Sequence, residues 1–183
     1  MTFVKERCGV SNIMLDLETL GTVITQIGAV YFDWAGKTGE TFLVNVNIKS
    51  CLDKGLEIKY KELKFWLENK DRITWDKDTI PLTKALEELT AFCKIDKKAY
   101  VWSHFYDIEI LESVCQKLGQ KLPFHYTRWR DIRTLVFLAG LKREEKSGDP
   151  KTHNALDDCL YQVNYCCKAY KLLETKLRCG GSC

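Results

Sequence analysis

The sequence predicts an α/β domain with a mixed sheet and helices on its faces. Three observations carry that expectation. Strand-like apolar alternation fills the first third of the chain, helical and strand-like segments alternate after it, and no internal repeat, low-complexity tract or linker divides the 183 residues. A chain of this length can bury one sizeable core, so a single domain spanning residues 1–183 is expected. Its core would cover about 10–177, with a flexible tail at 178–183.

The elements follow in order. Asn12 to Asp16 reads as a strand, and Gln26 to Asp33 as a second after a Gly-containing turn. Thr41 to Ile48 alternates, with Phe42, Val44, Val46 and Ile48 on one face and Thr41, Asn45 and Asn47 on the other. That is the pattern of a half-exposed antiparallel strand, and short connections make the three a meander. Tyr60 to Glu68 and Pro81 to Cys93 read as helices, Pro81 suiting a first helical turn. Ala99 to Trp102 is a short strand. Tyr106 to Leu118 is a helix stopped by Gly119, and Trp129 to Ala139 a helix before Gly140. Lys142 to Thr152 is charged, carries Gly148 and Pro150, and is expected to be a mobile surface loop. The last helix runs from Asn154 to about Leu177.

Composition excludes several classes. Lys plus Arg is 28 and Asp plus Glu is 25, a net charge of +3, so the chain does not hold nucleic acid by overall charge alone. No apolar run approaches the ~20 residues of a membrane span, and the N-terminus has no signal-like apolar stretch. A cytoplasmic location is expected, or the host cytoplasm if the protein is viral. The nine cysteines are odd in number and include no Cys-x-x-Cys. Cys159, Cys166 and Cys167 fall at helical spacing among apolar residues and read as reduced core thiols, while Cys179 and Cys183 lie in a Gly-rich tail. There is no Gly-x-Gly-x-x-Gly, no phosphate loop, no Gly-x-Ser-x-Gly and no His-Glu-x-x-His.

The chemistry-bearing residues are acids from three separate segments. Alternation along a strand puts Asp16 and Glu18 on one face, about 6.6 Å apart, with Leu15 and Leu17 opposite. Such a pair is either a solvated strand end or a repelling pair that needs a cation, from Arg, Lys or a metal ion. On the helix after Ser103, Asp107 shares a stripe with Leu111, Val114 and Leu118, whereas Glu109 and Glu112 fall on the other side. The helix dipole favours an acid in that first turn, but does not explain one that points inward. On the last helix, Leu156, Cys159, Leu160, Val163, Cys166, Cys167, Tyr170 and Leu173 define an apolar arc. Asp158 falls at its border, beside Ala155 and Gln162, and Asp157 falls opposite, where Asn154 can cap it. His153 precedes the helix by one residue and Asp158 by five. A loop histidine needs no role, but at this spacing it can serve as a general base near its ordinary pKa of ~6.5. Carboxylates without Cys or His ligands suit hard ions such as Mg²⁺ or Mn²⁺, two of which are the usual device for in-line phosphoryl displacement.

These residues resemble the DnaQ-like (RNase T) 3′–5′ exonucleases. The first family motif appears as Asp16-Leu-Glu18-Thr19, the second as Val101-Trp-Ser-His-Phe-Tyr-Asp107, and the third as His153-x-Ala155-x-x-Asp158. Histidine five residues before the last Asp marks the histidine branch (DEDDh). Phe65-Trp66-Leu67, Arg130-Asp-Ile-Arg-Thr-Leu135 and His153-Asn-Ala-Leu-Asp-Asp158 look like segments of the phage DexA and mycobacterial-type exoribonuclease group, although the second motif is shortened to Ser103-His104-Phe105-Tyr106. The resemblance covers about residues 10–175. It implies an RNase H-like sheet of five strands in the order 3-2-1-4-5. It also implies a first metal on Asp16, Glu18 and Asp158, a second on Asp16 and Asp107, and His153 as the base. Thr19 and Leu20 would seat the terminal nucleotide, and the product would be a nucleoside 5′-monophosphate.

Trp66 and Phe105 are candidates for base stacking, with core packing as the alternative for each. Arg128, Arg130 and Arg133 are candidate phosphate contacts or solvated charges. The expected partner is nucleic acid with a free 3′ end, single-stranded so that the end can enter the site. The sequence leaves open DNA or RNA, and monomer or homodimer. Two other functions share many of these features: a binding module that has lost the chemistry, and a proofreading-type subunit of a polymerase.

Overall fold

The structure, a computed structural model, describes residues 11–142 and 154–179. Strands β1 (Asn12–Leu20), β2 (Val23–Phe32) and β3 (Thr38–Val46) form the expected meander. Two short helices follow, α1 (Ile48–Leu52) and α2 (Tyr60–Glu68), then β4 (Thr79–Ile80) and α3 (Leu82–Cys93). The remaining elements are β5 (Tyr100–Ser103), α4 (Phe105–Lys117), β6 (Trp129–Asp131), α5 (Ile132–Ala139) and α6 (Ala155–Cys179). They build one RNase H-like sheet in the order β4-β3-β2-β1-β5-β6. The meander is antiparallel, while β5, β6 and β4 each join parallel to a neighbour. Without the two-residue β4, which extends the edge beside Asn45 and Val46, the order is the expected five-strand one.

Central β1 feeds two cores because successive side chains alternate. Ile13, Leu15 and Leu17 enter the larger core with side chains of α3 and α4. Met14 enters a second core with Ile132 of α5 and Cys159, Val163 and Cys166 of α6. Cys51, Cys93, Cys115, Cys159, Cys166 and Cys167 are free and buried, and burial pushes the Cys51 and Cys115 thiols up to about 11. They are protonated packing groups. No described helix is long and apolar enough to cross a membrane.

The structure corrects several boundaries. Trp129–Asp131 is an edge strand, not the start of a helix: it pairs with Val101–Ser103, and Asp131 then caps α5 by accepting from Thr134 N at 2.8 Å. Ile48 does not extend β3. Asn47 turns the chain, its Oδ1 accepting from Ser50 N at 2.9 Å, and Ile48 opens α1. β1 continues four residues past Asp16 into a two-residue turn at Gly21 and Thr22. Gly21 has φ 76°, and a Cβ there would lie 2.5 Å from Glu57 O, so glycine alone fits beneath the segment leading into α2. Arg178 and Cys179 are helical rather than tail. Leu160 is 41% exposed and does not belong to the buried arc of α6; Tyr165 and Ala169 do. Apart from Lys142, the Lys142–Thr152 segment lies outside the described residues, as do Cys8 and Cys183.

The junction of α6 with the sheet positions the site. Gly28 of β2 lies directly beneath the first turn of α6, where an added Cβ would stand 2.4 Å from the Ala155 carbonyl carbon and 2.6 Å from Leu156 N. Backbone of both elements closes that space, so no side-chain rotation relieves the clash. Gly28→Ala is expected to destabilise the fold by about 2–3 kcal/mol through overpacking, read as a lower urea midpoint with an unchanged m-value.

Candidate active site

Asp16 and Glu18 sit on the β1 face that α6 covers. Asp16 lies opposite Gly28, and Glu18 opposite Gln26. The register shifts between Glu18 and Thr19, and Thr25 Oγ1 donates to Glu18 O at 3.0 Å across that irregularity. The extra residue is Thr25 of β2, and pairing resumes at Thr19 and Leu20, so the bulge interrupts the ladder just past the second acid.

Three contacts bring the start of α6 onto this strand pair, and a cap within the helix orders its first turn. Asn154 Oδ1 accepts from Leu156 N at 3.0 Å and Asp157 N at 3.2 Å, the expected N-cap. Gln26 Oε1 accepts from Ala155 N at 2.7 Å, and Gln26 Nε2 donates to Asn45 Oδ1 at 2.7 Å. The Cys159 thiol donates toward Gly28 O at 3.3 Å. Gly28 itself supplies the close approach. The first helical turn is thereby fixed in rotation: Asp158 turns toward β1, and Asp157 is exposed.

Asp16, Glu18 and Asp158 each offer a carboxylate oxygen, and these atoms all lie within 4.8 Å of one another. In an octahedral Mg²⁺ site with bonds of 2.0–2.1 Å, ligand oxygens lie about 3–4.2 Å apart, so small side-chain adjustments suffice. Asp107 enters from the start of α4, 8% exposed, while Glu109 and Glu112 on the same helix face solvent. Its Oδ2 is buried with no hydrogen-bond partner among the described residues. A buried carboxylate oxygen without a donor is costly unless something binds it. An all-oxygen donor set with such an orphan fits a hard divalent cation.

The electrostatics agree. Burial raises Asp16 well above the usual carboxylate range, and the charges of Asp107, Glu18 and Asp158 raise it further, against a hydrogen bond from Gln162. Asp107 is pushed up to about 7, chiefly by burial, while a backbone hydrogen bond at His104 and the exposed Arg133 draw it down and Asp158 opposes them. The cluster is a region where negative charge is disfavoured until a cation enters.

The other sequence candidates are distributed as follows. His153 lies outside the described residues. Thr19 is half-buried, and Leu20 is a core side chain, so Leu20 can offer substrate only its backbone. Trp66 is 5% exposed and packs edge-on against Trp75 at 5.5 Å, which makes it a core residue with little surface for a base. Its neighbour Phe65 is the exposed ring. Phe105 is 50% exposed and tilted against Trp129 at 5.7 Å. Arg130 lies over the Tyr100 ring at 4.6 Å, held by the carbonyls of Thr127 and Trp129.

Sequence reasoning missed Gln26, Gly28 and Gln162 as parts of the site. Gln26 was visible as a polar residue inside an apolar strand, and Gln162 as the residue one turn beyond the inward acid. Asp131 was also missed. It accepts from Phe105 N at 3.2 Å as well as from Thr134, and so ties the start of the Asp107 helix to α5.

Fold and site together define an RNase H-like domain whose acidic cluster is suited to phosphodiester hydrolysis. The chain belongs to the 3′-5′ exoribonuclease Rv2179c-like domain family, whose model matches residues 11–170. It is accordingly a 3′–5′ exonuclease, and its substrate is nucleic acid. No curated protein matches the chain.

A stability prediction follows from the raised carboxyls. The folded state holds these protons more tightly than the unfolded chain, so their contribution is full below about pH 4 and is lost as pH rises toward about 7. In chelator, thermal stability should fall between pH 4.5 and pH 7.5 by calorimetry, and Asp107→Asn should flatten that slope. An unchanged slope in the variant counts against the buried acid as its source.

Proposed function

We propose that this chain is a two-metal-ion 3′–5′ exonuclease of the DnaQ-like histidine branch. It removes nucleoside 5′-monophosphates from the 3′ end of single-stranded nucleic acid, using Mg²⁺ or Mn²⁺. The observation that carries this reading is the gathering of Asp16, Glu18 and Asp158 within 4.8 Å, with a buried oxygen on Asp107, unpartnered among the described residues, whose charge acts on Asp16. The family description favours RNA as the natural substrate.

Asp16, Glu18 and Asp158 would hold one ion, and Asp16 with Asp107 the other. Bound there, divalent ions supply Lewis-acid stabilisation of the attacking and departing oxygens. The protein does the rest. The first turn of α6 and the end of β1 fix three carboxylates that would otherwise repel apart. His153, one residue before the capping Asn154, takes the proton of the attacking water. The backbone of Thr19 and Leu20, just after the bulge, seats the terminal sugar, and Phe105 offers an exposed face to a base.

The test is direct. Purified protein with Mn²⁺ or Mg²⁺ should shorten 5′-labelled single strands from the 3′ end and release mononucleotides, with RNA degraded faster than matched DNA. Asp16→Ala should reduce the rate by ~10³-fold or more. Binding without product, unaltered by Asp16→Ala, would identify a binding module instead.

His153→Ala is expected to lower kcat by ~10²–10⁴-fold with little change in KM. In the unaltered protein the rate should fall below pH ~6.5, since a protonated imidazole cannot accept the water's proton. A flat acid limb would remove His153 from the base role.

A further inference from the structure

Gln162 lies one helical turn after Asp158, on the same face of α6. Its side chain is 4% exposed, and its Nε2 donates to Asp16 Oδ1 at 2.6 Å. Asp16 is itself 8% exposed and feels the charges of Asp107, Glu18 and Asp158. The Gln162 carbonyl oxygen, Oε1, is buried with no hydrogen-bond partner among the described residues. A long polar side chain is therefore buried with one of its two polar atoms unpartnered among the described residues, while the other donates to a single acid. Ordinary helix packing does not require this, since a methionine of similar volume would fill the space without an orphaned acceptor.

The chemistry of the amide separates it from the alternatives. Lysine or arginine at this position would also donate to Asp16, but would add a positive charge that competes with any cation for the same carboxylate. Glutamate would be an acceptor when ionised and would add a fifth acid. Asparagine is one methylene shorter. Glutamine donates to the carboxylate while leaving the negative charge of the cluster intact. The aspartate torsion that turns its carboxylate plane is broad and two-fold by nature, and the hydrogen bond from α6 fixes it. The same helix carries Asp158, so one rigid element sets both Asp158 and the orientation of the acid it faces.

We propose that Gln162 is a positioning residue for divalent-cation binding: it fixes the carboxylate of Asp16 so that Asp16, Glu18 and Asp158 present a preformed ligand set. This rests on the cation-binding reading of the cluster above. Partners that orient ligating groups typically change metal affinity by about 10–100-fold when removed.

The experiment compares Mn²⁺ binding by calorimetric titration, without nucleic acid, in the unaltered protein, Gln162→Met, Gln162→Ala and Asp16→Asn. Folding is checked by circular dichroism and urea midpoint. Expected is a dissociation constant at least tenfold weaker in Gln162→Met, with the fold retained and nuclease activity largely restored at saturating Mn²⁺. Gln162→Ala, which cannot overpack, should show the same loss. If both variants bind Mn²⁺ within twofold of the unaltered protein while Asp16→Asn does not, Gln162 serves packing only and the inference fails, leaving the cation reading intact. If the unaltered protein binds no Mn²⁺, the cation reading fails and takes this inference with it.

Discussion

Mutual repulsion among buried carboxylates is the constraint around which this molecule is arranged. Two unit charges 4.8 Å apart at an effective dielectric near 20 repel by about 3–4 kcal/mol, and burial adds to the cost of ionising Asp16 and Asp107. Left to themselves, the elements that carry these acids would separate. They are held by interactions that ignore charge: Gly28 admitting the backbone of α6, Gln26 binding Ala155 N, Asn154 capping the first turn, and the Cys159 thiol facing the Gly28 carbonyl. Each acts within one turn of Asp158. The helix is clamped where the repulsion is greatest.

The two-sided sheet makes such clamping possible. β1 is paired along its length with β2, joined to β5 over Asn12–Met14 and packed on both faces, which holds the strand carrying Asp16 and Glu18 in place. Its odd-numbered side chains anchor it to α3 and α4, and Met14 anchors it to α6. The bulge at Thr25 interrupts the ladder just past Glu18, beside the acidic cluster. A rigid strand, a clamped helix and an acid at the start of α4 are then enough to define the site.

Among the described residues, Asp16 is met by a neutral amide donor and Asp107 by a backbone group at His104. Arg133 is exposed and draws Asp107 down only in part, and the side chain that touches Asp16 is an amide. A cluster satisfied by arginine would be a structural salt-bridge network. In this one, burial and the neighbouring carboxylates hold Asp16 and Asp107 above the ordinary carboxylate range.

By itself, the sequence determined the directions of the acids on their strands and helices, though periodicity misplaced Leu160. Alternation put Asp16 and Glu18 on one face, and helical projection set Asp107 apart from Glu109 and Glu112 and chose Asp158 over Asp157. The structure keeps all of these assignments, because a side chain's direction on a regular element is a local property. Tertiary structure decided what local pattern cannot carry. The edge strand Trp129–Asp131 exists because β5 offers it hydrogen bonds, and Trp66 is a core residue because Trp75 meets it. Gln162 belongs to the site because α6 crosses β1 there. Gly28 shows the difference most plainly. Nothing in its neighbourhood along the chain marks it, yet it allows two distant backbones to approach within contact, and the meeting of Asp16 with Asp158 depends on that approach.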